Sequence, residues 1–131
     1  MLFKSLSARN YFLFLLFVPC LAMGQNWVPI VENSVGDKFY VDINEIRKEG
    51  NLVRFFEIND FGNPIASGDR SVRIFREVDC TAKKRRIIQI TYFTGSMLTG
   101  LNTGTELGEG LWQPTTAGST ADIILNFVCG R

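Results

Sequence analysis

Hydrophobic residues recur along much of this chain with a period of two, which is typical of β-strands. In Arg70–Cys80 the apolar residues Val72, Ile74, Val78 and Cys80 share one parity, which Arg76 interrupts. The other parity carries Ser71, Arg73, Phe75, Glu77 and Asp79, which is polar apart from one ring. We therefore expect a half-buried strand, with one face on the core and the other turned largely to water.

Four other stretches have the character of strands, namely residues 26–31, 39–43, 52–58 and 86–94. Pro29 places the first at an edge of the sheet, because proline cannot donate to a ladder. Residues 52–58 are apolar on both parities, which predicts a central strand. Residues 86–94 alternate cleanly and should pair antiparallel with Arg70–Cys80 through a short hairpin at 81–85.

Two segments depart from this alternation. Residues 44–49 are polar around a single Ile46 and predict a helical turn before the tight connection Gly50-Asn51. Residues 95–110 contain five glycines among Ser, Thr and Asn, which predicts a long mobile hairpin or loop.

The last part of the chain has the period of a helix. Ser119 is suited to the N-cap, and Asp122 stands at the third helical position. An apolar stripe follows at spacings of three, four and seven residues, formed by Ala121, Ile124, Leu125 and Val128. Cys129 lies on the side of this stripe, so a helix docked on the sheet would carry it toward Cys80. The pattern predicts an α+β fold: an antiparallel β-sheet of about five or six strands with a C-terminal α-helix packed on one face and tied by a disulfide.

The first residues have the features of a secretory signal peptide. Lys4 and Arg9 precede an apolar run, and Ala22 and Gly24 are small residues two positions apart. The run of about 10 apolar residues is shorter than the roughly 20 that a membrane span requires. We predict a signal peptide at residues 1–24 and a mature domain at 25–131. The alternatives are a transmembrane anchor and a lipoprotein acylated at Cys20.

Cleavage changes both the cysteine count and the charge. Two cysteines remain, Cys80 and Cys129, and pairing is the default in an oxidising compartment. Their bond would close a loop of about 50 residues and stabilise the fold by about 4 kcal/mol. Loss of Lys4 and Arg9 leaves 12 basic against 13 acidic side chains, a net charge of −1. This charge argues against nucleic acid as a partner, so charged recognition must be local.

The residue types offer little for catalysis. The sequence has no histidine, which removes the commonest general base and the commonest metal ligand. The acidic residues show no spacing that singles out a catalytic pair. Gly95–Gly100 lacks the Gly-Lys-Ser/Thr of a phosphate-binding loop. We expect no enzymatic activity, no cofactor and no metal site.

One charge cluster stands out, and it consists of Lys83, Lys84, Arg85 and Arg86. The structural interpretation is a solvated turn that protects the aggregation-prone segment 87–93. The functional interpretation is a partner-binding patch for acidic groups, such as sulfated glycans or acidic protein segments. Two interpretations also remain open for the aromatic residues Trp27, Trp112 and Phe61: each fills the core or stands exposed as an interface anchor.

Several short motifs together resemble the surface-adhesin protein E family of proteobacteria. They are Trp27, Tyr40-Val-Asp42, Arg70-Ser71, Glu77-Val-Asp-Cys80, Tyr92 before Gly95, Trp112-Gln-Pro114, Gly118-Ser119 and the final Val128-Cys129. The resemblance spans nearly the whole mature chain. It implies an antiparallel sheet with a C-terminal helix held by a disulfide, in agreement with the stripe and the cysteine count.

The resemblance also implies a function. The founding member of the family is an outer-membrane lipoprotein that binds host extracellular-matrix and serum proteins and can dimerise. We therefore expect an exported binding module with host matrix or other envelope proteins as partners and a homodimer as one form. Pro19 before Cys20 departs from a lipoprotein cleavage site, so we expect a periplasmic or secreted protein rather than one anchored at the outer-membrane surface. The alternative is a periplasmic structural or accessory protein with no host ligand.

Overall fold

A computed structural model describes residues 24–131, and within this range the strands form one antiparallel sheet that a helix follows. The elements are β1 (Trp27–Glu32), β2 (Lys38–Asp42), β3 (Arg47–Glu49), β4 (Leu52–Asp60), β5 (Ser71–Asp79), β6 (Lys84–Phe93), β7 (Asn102–Leu107), β8 (Gln113–Pro114) and α1 (Thr120–Cys129). The predicted signal peptide, including Cys20, lies outside the described residues. No helix within the described range is long and apolar enough to cross a membrane.

The sheet has the order β1-β2-β4-β5-β6-β7, and two short strands extend its edges. β3 continues the line of β2 along β4, and β8 pairs with the start of β6 while β7 pairs with its end. β4 and β5 pair over their full length in the middle of the sheet. The predicted central position of residues 52–58 is thus confirmed, and so are the edge position of Pro29 and the β5–β6 hairpin.

The main core lies between α1 and one face of the sheet. Its fully buried members are Val41, Val53, Phe55, Val78, Ile124, Leu125 and Val128. Each buried aliphatic or aromatic side chain of this kind stabilises the fold by roughly 1.5–3 kcal/mol. The predicted stripe therefore does face the sheet. The predicted cap is also present, since the Ser119 hydroxyl accepts a hydrogen bond from the Asp122 amide at 3.2 Å.

A disulfide joins Cys80, just after β5, to Cys129 at the end of α1. The two Cα atoms are 5.9 Å apart, within the usual range for such a bond. The predicted pairing and the α+β class are confirmed.

The second face of β5 does not turn to water as predicted. Ser71 is 0 % exposed and Glu77 is 1 % exposed. The Ser71 hydroxyl donates to the Gly95 carbonyl and accepts from the Leu98 amide, so the loop after β6 covers it. Arginines on the two neighbouring strands enclose Glu77. A central strand has a neighbour on each side, so side chains and loops from other elements can cover it. Polar residues of β5 are therefore buried, although the sequence of β5 alone suggests exposure.

Three segment boundaries also differ from the predictions. The predicted helical turn at 44–49 is a short 3-10 turn, Ile43–Glu45, followed by β3, which forms a hairpin with β4. The predicted loop at 95–110 contains β7, so the hairpin interpretation of that segment is correct. β6 begins at Lys84, which moves Lys84 and Arg85 from the predicted turn into a strand.

Candidate functional site

Helix α1 packs over β1 and β4, the residues of β5 on the same face of the sheet are buried, and the face is open over β6 and β7. Two adjoining cavities of about 280 and 650 Å³ occupy this open half. Tyr92 and Glu106 line both of them, so together they form one elongated depression, which we call the groove. Concave sites beside a rigid sheet are the usual places for ligands.

The strand register explains which side chains reach the groove. Arg85 pairs with Val78, Ile87 with Arg76, and Ile90 with Ile74. One extra residue of β6 is accommodated between Ile87 and Gln89, and this β-bulge lets Ile87 and Ile90 share a face despite their odd spacing. The groove floor is therefore apolar in its middle, with a cation at the β6 start.

Two arginines define the first end of the groove. Arg76 is buried and donates from Nε to the Glu57 carboxylate at 2.9 Å, so its charge is balanced inside the sheet. Arg85 forms no ion pair with any carboxylate in the described part of the chain. Burial lowers the pKa of the Arg85 guanidinium, and the nearby charge of Arg76 lowers it further. The charge of Glu57 offsets part of this lowering, but it is held by Arg76. The first end thus presents a partly desolvated cation that forms no ion pair of its own within residues 24–131.

The second end has acidic character. Burial raises the pKa of the Tyr92 hydroxyl, and the negative charges of Glu106 and Asp69 add to the effect. Asp69 is 5 % exposed and accepts hydrogen bonds from the hydroxyls of Thr103 and Ser67, at 2.8 and 2.6 Å. Glu106 is exposed on β7, and its carboxylate lies beside the Tyr92 hydroxyl.

A loop between β7 and β8 forms the outer wall of the first cavity. The Gly108 amide donates to the Ile88 carbonyl at 2.8 Å. A side chain at Gly108 could not be accommodated, because its Cβ would lie 1.8 Å from the Ile87 carbonyl oxygen. Leu107 and Leu111, on either side, are 78 % and 67 % exposed. The rim of the groove therefore combines exposed leucines with the exposed carboxylate of Glu109.

The opposite face of the sheet carries a row of charges, which lines part of another cavity of about 510 Å³. Glu77 accepts from Arg54 Nε and Arg86 Nε, both at 2.8 Å. Burial alone would raise the pKa of Glu77, but these hydrogen bonds outweigh it and hold the pKa below its ordinary value. The Arg86 guanidinium also lies 4.6 Å from the centre of the Trp112 ring. These contacts fasten the β7–β8 loop to the sheet from behind.

The four residues of the predicted basic patch have different surroundings. Lys83 is exposed and donates to the Asn126 side chain at 2.6 Å. Lys84 pairs with Pro114, on the face away from the groove, and Arg86 is bound to Glu77 on that same face. Arg85 and Arg86 both line the first cavity, but among the described residues only Arg86 has an ion-pair partner, Glu77.

The aromatic candidates for interface anchors are partly buried in each case, namely Trp27, Trp112 and Phe61. Within residues 24–131, no three acidic or cysteine side chains cluster closely enough to hold a metal ion.

A sequence model of the surface-adhesin protein E family matches residues 27–130. The chain belongs to this family. The resemblance based on the short motifs is thereby confirmed. A search among curated proteins found no match.

Solved structures of Haemophilus influenzae protein E share the fold of this adhesin E family member. Crystal form II of that protein has a TM-score of 0.65 and 15 % sequence identity, covering 86 % of this chain and 94 % of that chain. A second structure gives 0.60 and 15 %, covering 86 % and 90 %. Protein E from non-typeable H. influenzae gives 0.59 and 16 %, covering 86 % and 81 %. At this identity the likeness establishes the fold alone.

Sequence reasoning missed the groove itself. Tyr92, Asp69 and Glu106 come from β6, the segment before β5, and β7, and only the sheet register brings them together. The bulge in β6 has no signature in the sequence. Arg85 was identified, but as one of four equivalent cations.

Proposed function

We propose that residues 25–131 form an exported, non-enzymatic binding module whose ligands are host extracellular-matrix or serum proteins. The observation that carries the proposal is the open groove bordered by exposed leucines. Leu107 and Leu111 are 78 % and 67 % exposed beside an apolar floor, a combination that marks interaction surfaces rather than ordinary solvent-facing strands. Family membership supports the same class of function.

Of the predicted basic patch Lys83–Arg86, we assign ligand attraction to Arg85, which lines the groove, and to Lys83 in the turn before β6. Lys84 lies on the opposite face of β6 and has no part in it. Because such charges are largely screened at high ionic strength, affinity for an acidic ligand should fall as salt rises. Neither a cofactor nor nucleic acid has a role in this proposal.

Export and the final location belong to the proposal as well. The predicted signal peptide directs the chain out of the cytoplasm, and Pro19 disfavours lipid attachment at Cys20. A periplasmic or secreted protein follows. The exposed edge of β7 can also pair with a second copy of the chain, so a homodimer is the expected competitor of ligand binding at that edge.

The test combines location with binding. The exported protein should be found in the medium or be accessible to protease on intact cells, and it should bind members of an array of purified matrix and serum proteins. Sedimentation measured alongside would separate ligand binding from self-association. Confinement to the periplasm with no bound host protein would contradict the proposal and favour a structural or accessory role in the envelope.

A further inference from the structure

The groove has opposite charges at its two ends. Arg85 supplies an unpaired cation at the start of β6, whereas Glu106 and Asp69 make the region around Tyr92 acidic. Glu106 on β7 pairs with Ile90 on β6. Ile90 is five positions after Arg85 in the sequence, but the bulge takes up one of them, so four residues of strand separate the two. At about 3.3 Å per residue the charged ends are roughly 13 Å apart along β6.

The shape of the groove suits a chain rather than a compact molecule. Its two cavities follow one another along β6, and its floor between the charged ends is formed by Ile87 and Ile90. In an extended peptide, residues i, i+2 and i+4 point to one side, and the outer two are about 13 Å apart. This spacing matches the separation between Arg85 and Glu106.

We propose that the groove binds an extended polypeptide segment in which an acidic and a basic residue stand four positions apart with an apolar residue midway. The acidic side chain pairs with Arg85, the basic side chain pairs with Glu106, and the middle side chain packs on Ile87 and Ile90. The proposal deepens the proposed function, because it names the chemistry of the protein segment that the module recognises.

The other charges near the groove do not alter this assignment. Glu57 already neutralises Arg76. Glu109 lines the first cavity but is exposed on the rim and lies beyond ion-pairing distance of Arg85, so solvent screens it. A carboxylate of the bound peptide would therefore form the ion pair that Arg85 lacks within residues 24–131. Such a pair contributes most to binding when the site is desolvated.

Charge reversal at Arg85 gives a direct test, and Lys84 provides a matched control. Both substitutions, Arg85→Glu and Lys84→Glu, change the net charge equally, but the two side chains lie on opposite faces of β6. The exported protein and both variants would be used to select from a phage library of random 12-residue peptides.

The parent and Lys84→Glu should enrich peptides with an acidic and a basic residue four positions apart. Arg85→Glu should lose the acidic preference and enrich a basic residue in its place. For a synthetic peptide from the parent selection, Arg85→Glu should weaken binding by at least about tenfold, and Lys84→Glu by less than about threefold. If Arg85→Glu fails to fold, Arg85→Gln replaces it, because it keeps a polar side chain but removes the charge. This variant should lose the acidic preference without gaining a basic one.

Three results would overturn the proposal: no enrichment with the parent, an unchanged acidic preference in Arg85→Glu, or equal effects of the two reversals. The matrix-protein array distinguishes this failure from failure of the proposed function. If host proteins bind the parent and Arg85→Glu equally, the module binds through another surface. If no host protein binds but the peptide selection succeeds, the groove is correctly assigned and its natural partner lies in the envelope.

Discussion

Glu77 shows how a single buried charge is made tolerable in the middle of this sheet. Its carboxylate is 1 % exposed, and arginines from both neighbouring strands donate to it. Removing one member of a buried, hydrogen-bonded set leaves its partners without the bonds that offset their desolvation. The arginines are partly exposed here, so water can replace some of what is lost.

We therefore expect Glu77→Gln to lower the free energy of unfolding by about 1–3 kcal/mol at pH 7. The effect should depend on pH, because the pKa of Glu77 is held below its ordinary value. The stabilisation is fully present above the unfolded-state pKa and is lost as the pH falls through the lower folded-state pKa. Urea unfolding at pH 7 and pH 3 would measure this.

The difference between parent and Glu77→Gln should shrink at pH 3. Glu45→Gln is the control, since Glu45 pairs with Arg47 at the exposed surface and should change stability by less than about 1 kcal/mol. A pH-independent loss in Glu77→Gln would show that the lost shape, not the lost charge, causes the effect.

Arg76 and Glu57 form a second buried pair on the groove side, with side-chain exposures of 6 % and 1 %. Arg76→Met should cost about 3–5 kcal/mol of unfolding free energy, because it leaves the Glu57 charge buried and unpaired. The double variant Arg76→Met with Glu57→Leu should recover most of that loss, since apolar replacements of similar volume often match a buried ion pair. Thermal or urea unfolding of the parent and the two variants would measure this. Equal losses in the single and double variants would contradict the argument.

At the scale of elements, the disulfide and the apolar stripe both hold α1 on the sheet. Replacing Cys80 and Cys129 by Ser should lower the free energy of unfolding by about 4 kcal/mol, given a closed loop with a sequence separation of 49 residues. The helix should still dock in the native state, because Ile124, Leu125 and Val128 keep their contacts. Urea unfolding together with amide exchange in α1 would measure both effects.

The control is Ile123→Ala, which removes an exposed aliphatic side chain from the same helix. It should change stability by less than about 0.5 kcal/mol. Loss of amide protection throughout α1 in the cysteine-free variant would show that the bond, rather than the stripe, positions the helix.

The elements that were predicted correctly share a strong local pattern. The stripe of α1, the alternation of β6 and the doubly apolar β4 each follow from the geometry of one segment alone. β3 was not predicted, and β7 was predicted only as part of a hairpin or loop, because both contain few apolar residues: every residue of each is exposed. Such strands form because a neighbour offers unpaired backbone groups, which is information that their own residues do not contain.

The groove was unpredictable for a related reason. Its charged ends come from residues far apart in the chain, and the β6 bulge decides that Ile87 and Ile90 lie together. A shift of register by one residue would move each of these side chains to the other face. Arg85 could be named from the sequence, but its separation from Lys84 and Arg86 required knowing where β6 begins.

At the scale of the whole molecule, the mature chain should begin at Gln25. Ala22 and Gly24 fit the two positions that signal peptidase reads, so cleavage after Gly24 is expected. Mass spectrometry of the exported protein checks this. A variant with Ala22→Asp should accumulate as the uncleaved precursor, whereas a diacylated Cys20 would contradict the prediction.

The disulfide also decides which part of the molecule carries mechanical load. A pull between residues 25 and 131 is transmitted along β1 to β5, across the bond and out through the last residues, so the segment between Cys80 and Cys129 is bypassed. That segment contains β6, β7 and the loop of exposed leucines. Its extended length is roughly 170 Å at about 3.5 Å per residue, and this length cannot be pulled out while the disulfide is intact. Tension applied at the ends would leave Arg85 and Glu106 within a covalently closed loop that does not carry the load.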